Sequence, residues 1–195
     1  LHFQGIMQLP ADEAPLRAQV DKWLSQQNIG FGYGALAAGS DILIAEALRA
    51  RDAELHVILP CDQASFRKHS VSPFGTAWEK RFDALIEAAE TLDCLDAAAA
   101  PCEQAVQLCE ATCMGLARQN ARNLQSHALA LRIDREGTSG KARLTNWVAS
   151  GGEVEILIAD APRDKSVRLD VEPQGQHAAL LAVRRGESAL AISSA

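Results

Sequence analysis

The sequence lacks the signatures of most familiar chemistries. It has no G-x-S-x-G elbow, no phosphate-loop lysine pattern and no H-E-x-x-H helix, which removes the usual serine-hydrolase, P-loop and zincin readings. Its five cysteines are odd in number and include no close C-x-x-C pair. Neither structural zinc nor a disulfide framework is therefore expected, no metal site is assigned, and a reducing cytoplasm is the expected setting. No apolar run approaches the ~20 residues that cross a bilayer, and no secretory signal is visible. Positive charge is in short supply, with 19 Lys and Arg against 25 Asp and Glu and a net charge of −6. That balance argues against a general binder of nucleic acid or of membrane surfaces.

What is present is ordinary in composition and specific in pattern. With 195 residues, 48% hydrophobic, the chain is long enough for one α/β domain and a small appendage. The organising stretch is Phe31 to Asp62, FGYGALAAGSDILIAEALRARDAELHVILPCD. A short apolar run closes on glycines, a small-residue turn follows, then an amphipathic helix over about 42–51, then an apolar strand over 55–59 that stops at Pro60. Two parallel strands joined by a helix need such a crossover. Gly32, Gly34 and Gly39 permit close approach of a ligand to the backbone. Ser40 and Asp41 are suited to N-cap the helix, whose unpaired N–H groups favour an anion. Asp41 competes for the same donors and suits a ribose hydroxyl or a base amine better than a bare phosphate. A tight strand-to-helix turn without a ligand is the plain alternative, because GYGALAAG does not spell G-x-G-x-x-G.

Either side of this stretch the chain alternates helix and strand. Leu16, Val20, Trp23, Leu24 and Gln27 share one face of a helix over 10–27. LHFQG at the start reads equally as a protease-site scar or as a first strand ending at Gly5. Residues 60–75 show little periodicity and read as a connector or lid, with Asp62, Phe66, Arg67, His69 and Ser70 as contacts. Helices are expected over 76–90 and 102–123, the latter led by the alanine run 97–100, with a short one over 143–150. Strands are expected over 92–95, 129–133 and 154–159. Cys102, Cys109 and Cys113 share a helix face and read as reduced thiols rather than ligands. After Asp160 the pattern shifts to short alternating strands, giving an expected division into 1–160 and a 161–195 hairpin or interdomain extension.

Several of these segments, taken together, resemble the SLOG superfamily, the Rossmann-like group named for DprA and the LOG phosphoribohydrolases, and in particular its TPR-associated sensor version. The matching stretches are Gly32 to Asp62, SFRKHSV (Ser65 to Val71) and WEKRF (Trp78 to Phe82). The pattern falls on Gly39, Asp41, Glu46, Ala47, Pro60, Phe66, Ser70, Val71, Trp78, Arg81 and Phe82. Gly5, Pro10 and Glu13 also fit, which favours LHFQG as a native strand. The glycine-rich motif with a catalytic glutamate found in LOG enzymes has no counterpart, and Thr138, Ser139, Gly140 and Lys141 stand where related domains carry Gly-Gly-Thr.

The expected fold is thus a doubly wound α/β domain with a mainly parallel sheet, helices on both faces and a short C-terminal β appendage. The resemblance implies a sensor domain that binds a nucleotide or an ADP-ribose-type ligand and signals to an attached effector or a TPR protein, in signal transduction or antiviral defence. The expected binding residues are Gly5, Gly32, Gly34, Ala35, Gly39, Ser40, Asp41, Asp62, Phe66, Ser70, Arg81, Ser139, Gly140 and Lys141. Amides from Gly34 to Asp41 would hold phosphate, Arg81 and Lys141 would supply counter-charge, and Phe66 or Tyr33 would stack on a base. Two alternatives are a nucleotide-processing hydrolase of the N-glycosidic bond, with Glu46 or Asp41 as base, and an interaction module with no ligand. Homo-oligomerisation is left open.

Overall fold

Leu1 and Phe3 are 8% and 1% exposed, so the segment read either as a scar or as a strand is built into the core. The structure, a computed structural model, describes residues 1–136, 144, 147–149 and 151–159, and the backbone of 166–172, 180–185 and 188–190. The elements run β1 (His2–Gly5), α1 (Ala14–Ser25), β2 (Phe31–Gly34), α2 (Ser40–Arg49), β3 (Glu54–Leu59), α3 (Gln63–Ser70), a 3-10 turn (Ser72–Phe74), α4 (Thr76–Glu87), β4 (Thr91–Cys94), α5 (Glu103–Asn123), β5 (Leu129–Asp134), β6 (Glu153–Ile158), β7 (Ser166–Glu172), β8 (Leu180–Arg185) and β9 (Ser188–Leu190).

The strands form one sheet in the order β4-β3-β2-β1-β5-β6-β7-β8-β9. The six from β4 to β6 are parallel, and β7, β8 and β9 continue antiparallel from the β6 edge. This is a doubly wound α/β fold of the Rossmann-like kind. The appendage expected as a hairpin or interdomain segment is a continuation of the same sheet.

Alternation along the strands separates two apolar layers. Leu1, Phe3 of β1, Leu55, Val57 and Leu59 of β3, and Leu131 and Ile133 of β5 face α1, α2 and α4. Tyr33, Ile58, Ala130, Val154 and Ile156 face the other way, onto Cys109, Cys113 and Ala117 of α5 and onto Trp147. His2 and Gln4, alternating with Leu1 and Phe3, share the α5 side. Burying apolar surface on both faces explains why β3 reads as a nearly continuous hydrophobic run.

Three local expectations are corrected. The N-cap of α2 is Gly39, at φ +92°, and Ser40 and Asp41 are the first helical residues with no side-chain cap. Residues 63–70, expected to lack regular structure, form α3, whose N-cap Asp62 accepts the Ser65 N–H at 2.9 Å. Only Phe66 and Ser70 of α3 are buried, so the helix has no apolar stripe to betray it. The helix expected over 10–27 spans Ala14–Ser25, whereas the alanine run 97–100 leads into α5 as expected, through a bend at 98–100. Among the described residues, no helix is long and apolar enough to cross a membrane.

Candidate functional site

The strand order turns outward in both directions from β1, so β1 and β5 mark the switch point where open α/β sheets hold ligands, outside the strands' carboxyl ends. A cavity of about 440 Å³ lies there, within the ~300–1,000 Å³ usual for small-molecule sites. Its floor is β1 and the start of the β2–α2 loop, with Gly5, Ala35 and Ala37. One wall is α3, with Phe66, His69 and Ser70, and α5 closes the other side with Cys109, Glu110 and Cys113. Asp41 enters from the first turn of α2.

Of the residues expected to bind, the structure brings Gly5, Ala35, Asp41, Phe66 and Ser70 together around this cavity. The other glycines are occupied by protein. A Cβ on Gly32 would lie 2.6 Å from Leu48, and one on Gly34 would lie 2.5 Å from the Phe3 ring. A Cβ on Gly39 would strike the carbonyls of Ile6 and Met7. These glycines let β1, β2 and α2 approach one another closely, which is a packing use of the same conformational freedom.

The expected amide cradle is likewise partly spent inside the protein. Ser40 N–H donates to the Ile6 carbonyl at 3.0 Å and Ala38 N–H to the Ser70 carbonyl at 3.0 Å. Ala37 N–H donates to the Asp41 carboxylate at 3.3 Å. Asp62 is the cap of α3 and does not line the cavity.

Arg81 and Glu46 bind each other away from the cavity. The Arg81 fork donates to both Glu46 oxygens, at 2.7 and 2.8 Å, and to Glu13 at 3.1 Å. Arg17 also donates to Glu46, and the Arg81 guanidinium lies 4.1 Å from the Trp78 ring centre. Burial alone would raise the Glu46 pKa, but the two guanidiniums outweigh it and hold the carboxyl below its usual range. Glu46 is thus a strong ion-pair partner and a weak base, and neither it nor Arg81 reaches the cavity. Ser139, Gly140 and Lys141 lie outside the described residues.

Asp41 is the chemically distinctive group. It is 8% exposed, and burial raises its pKa to about 8, with the Glu110 charge adding to the rise. The N–H groups of Ala37 and Gly5 and the Arg132 charge oppose the rise without cancelling it. At neutral pH the carboxyl is therefore largely protonated and able to donate a hydrogen bond.

The inner wall contains groups the sequence pattern did not single out. His2 Nδ1 lies 3.3 Å from the Tyr33 carbonyl oxygen, and burial pulls its pKa down to about 4. With its amide nitrogen turned toward α5, Gln4 donates to Glu110 Oε1 at 3.0 Å and accepts from Arg132 at 3.2 Å. Arg132 in turn holds Asp134 at 2.9 Å. The signal for these residues was the alternation in LHFQG, which puts His2 and Gln4 on the face of a covered central strand where apolar residues are the norm. His69, placed near a ligand from the sequence, does line the cavity. Among the described residues no group of His, Cys, Asp and Glu is arranged to hold a metal ion.

No family model matches the chain and no curated protein matches it.

Proposed function

We propose that the chain binds a nucleotide or a nucleotide-derived small molecule in the cavity beside Asp41 and acts as a sensor domain for an attached or partner effector. The observation that carries this reading is the coincidence of the cavity with the switch point of the sheet, with Asp41 at its rim. Asp41 would take a ribose hydroxyl or a base amine. Phe66, 3% exposed and 6.2 Å from the Phe82 ring, is fixed in the core and gives an apolar edge rather than a free stacking face. Tyr33 is stacked on His56 at 4.8 Å and does not serve as the stacking ring.

Occupancy would reach an effector through α3 and α5, the two helices that wall the cavity. The sensor role, and a setting in signalling or defence, follow from the resemblance. The test is a thermal-shift series with mono-, di-, cyclic and ADP-ribose-type nucleotides and with nucleosides, using Asp41→Ala as control. A ligand at a hundred times its dissociation constant stabilises by about 2.7 kcal/mol, which moves the melting point by several degrees. A shift with one class that shrinks in the variant supports the reading. No shift with any of them overturns it.

A second reading is favoured by the pKa of Asp41 near 8, which suits a general acid at neutral pH. In that case the chain would cleave its ligand at the N-glycosidic bond, with Asp41 rather than Glu46 handling the proton. Release of free base on incubation, lost in Asp41→Asn with binding retained, would establish it. An intact ligand after prolonged incubation would exclude it.

A further inference from the structure

His2 lies on the α5 side of β1, is 1% exposed and lines the cavity. Its Nδ1 faces the Tyr33 carbonyl at 3.3 Å. A carbonyl only accepts, so Nδ1 carries the ring proton. The ring is neutral, because burial disfavours the imidazolium. Nε2 is therefore a bare lone pair, and it has no hydrogen-bond partner among the described residues. A buried acceptor left unmatched is costly, and a ligand donor would remove that cost.

The groups around it point the same way. Asp41, Glu103 and Glu110 place three carboxyl groups on the lining, and none of the described lining residues is Lys or Arg. The nearby Arg132 is engaged by Asp134 and by Gln4. Two amides at the mouth, those of Ala37 and Ala38, are committed to Asp41 and Ser70. The wall is thus rich in acceptors, the carbonyl oxygen of the protonated Asp41 carboxyl among them. Ribose hydroxyls and base amino groups bring donors, whereas a phosphate brings only acceptors and negative charge.

We infer that the cavity prefers a nucleoside, read through donors placed on His2 Nε2 and Asp41, over the same nucleoside carrying a 5′-phosphate. This rests on the nucleotide-derived ligand proposed above and narrows it to the unphosphorylated class.

The experiment is calorimetric titration of the whole chain with adenosine, guanosine, cytidine and uridine, with their 5′-monophosphates, and with inorganic phosphate. One nucleoside is expected to bind at least tenfold tighter than its monophosphate, and His2→Phe to weaken it by a similar factor. A monophosphate that binds as tightly as its nucleoside, or inorganic phosphate that competes, overturns the inference while leaving the nucleotide-binding reading intact. Silence with every nucleoside and nucleotide overturns both. If His2→Phe fails to fold, the nucleoside-to-monophosphate ratio on the unmodified chain decides alone.

Discussion

Arg81 and Glu46 meet as a two-pronged pair, Nε to Oε1 at 2.7 Å and the second nitrogen to Oε2 at 2.8 Å. Their side chains are 22% and 25% exposed, and with Glu13 and Arg17 they tie α1, α2 and α4 together. Arg81→Ala leaves Glu46 with Arg17 alone. We expect a loss of about 1–3 kcal/mol, between the values for surface and buried pairs, with ligand affinity in the cavity unchanged. Urea unfolding and a binding titration on one preparation check both halves. Weakened binding in a normally stable variant would return Arg81 to the binding residues.

Asp41 makes stability depend on pH. Its folded-state pKa of about 8 stands above the ordinary value of 3.8, so across that interval the folded chain holds a proton the unfolded chain has lost. Stability from this group is full below pH 4, falls as pH rises, and levels off above pH 8. His2, lowered from 6.5 to about 4, acts oppositely, adding stability as pH rises to 6.5. From pH 6.5 to 8 the buried Leu1 amino group, lowered from 8.0 to about 5, still adds stability as pH rises, so Asp41 is read from the difference between the unmodified chain and Asp41→Asn. There the stability of the unmodified chain relative to Asp41→Asn should fall at up to about 1.4 kcal/mol per pH unit. Parallel curves for the two proteins would contradict the assigned burial of this carboxyl.

Gly34→Ala should destabilise by about 1–3 kcal/mol, the usual cost of forcing extra atoms into a packed interior. Its new methyl meets the Phe3 ring at 2.5 Å, whereas Gly30 has nothing within 4 Å of the same position. Gly30→Ala is therefore the control and should be close to neutral. If Gly34→Ala were neutral for folding but abolished binding, the glycine would belong to the ligand instead.

The thiols should separate by reactivity. Cys94 and Cys102 are exposed, and Cys61, Cys109 and Cys113 are buried. Cys109 donates to the Ile58 carbonyl at 3.1 Å, and its contact with Cys113, together with burial, pushes the Cys113 pKa up. Alkylation followed site by site in mass spectrometry should be at least about tenfold slower at the buried three, since the thiolate is the reactive form. A ligand in the cavity should slow Cys109 and Cys113 further, because both line it.

Much of the fold was legible because apolar periodicity carries it. Leu16, Val20 and Leu24 marked the buried face of α1, and the unbroken LHVIL run marked β3 as covered on both sides. The helix over 63–70 was not legible, because two buried residues make no stripe, although Asp62 three residues ahead of Ser65 was a readable cap. The site divided by the same logic. Asp41, Ser70 and His69 stand at strand ends or on short following elements, where position alone implies a crevice. Gly32, Gly34 and Arg81 looked equally functional, but what fills them is Leu48, Phe3 and Glu46 from other elements. Sequence spacing does not disclose partners that only the tertiary structure supplies.

β1 hydrogen-bonds to β2 on one side and to β5 on the other. It is thus the seam between the β2–β3–β4 half of the sheet and the half that begins at β5. Its register pairs His2 with Tyr33 and also with Ala130. A nascent chain leaving the ribosome can therefore close the first half early, but must hold one edge of that central strand open until β5 emerges. Such late, long-range closure slows folding, and it makes the exposed edge of β1 the place where a chaperone or a second nascent chain would engage first.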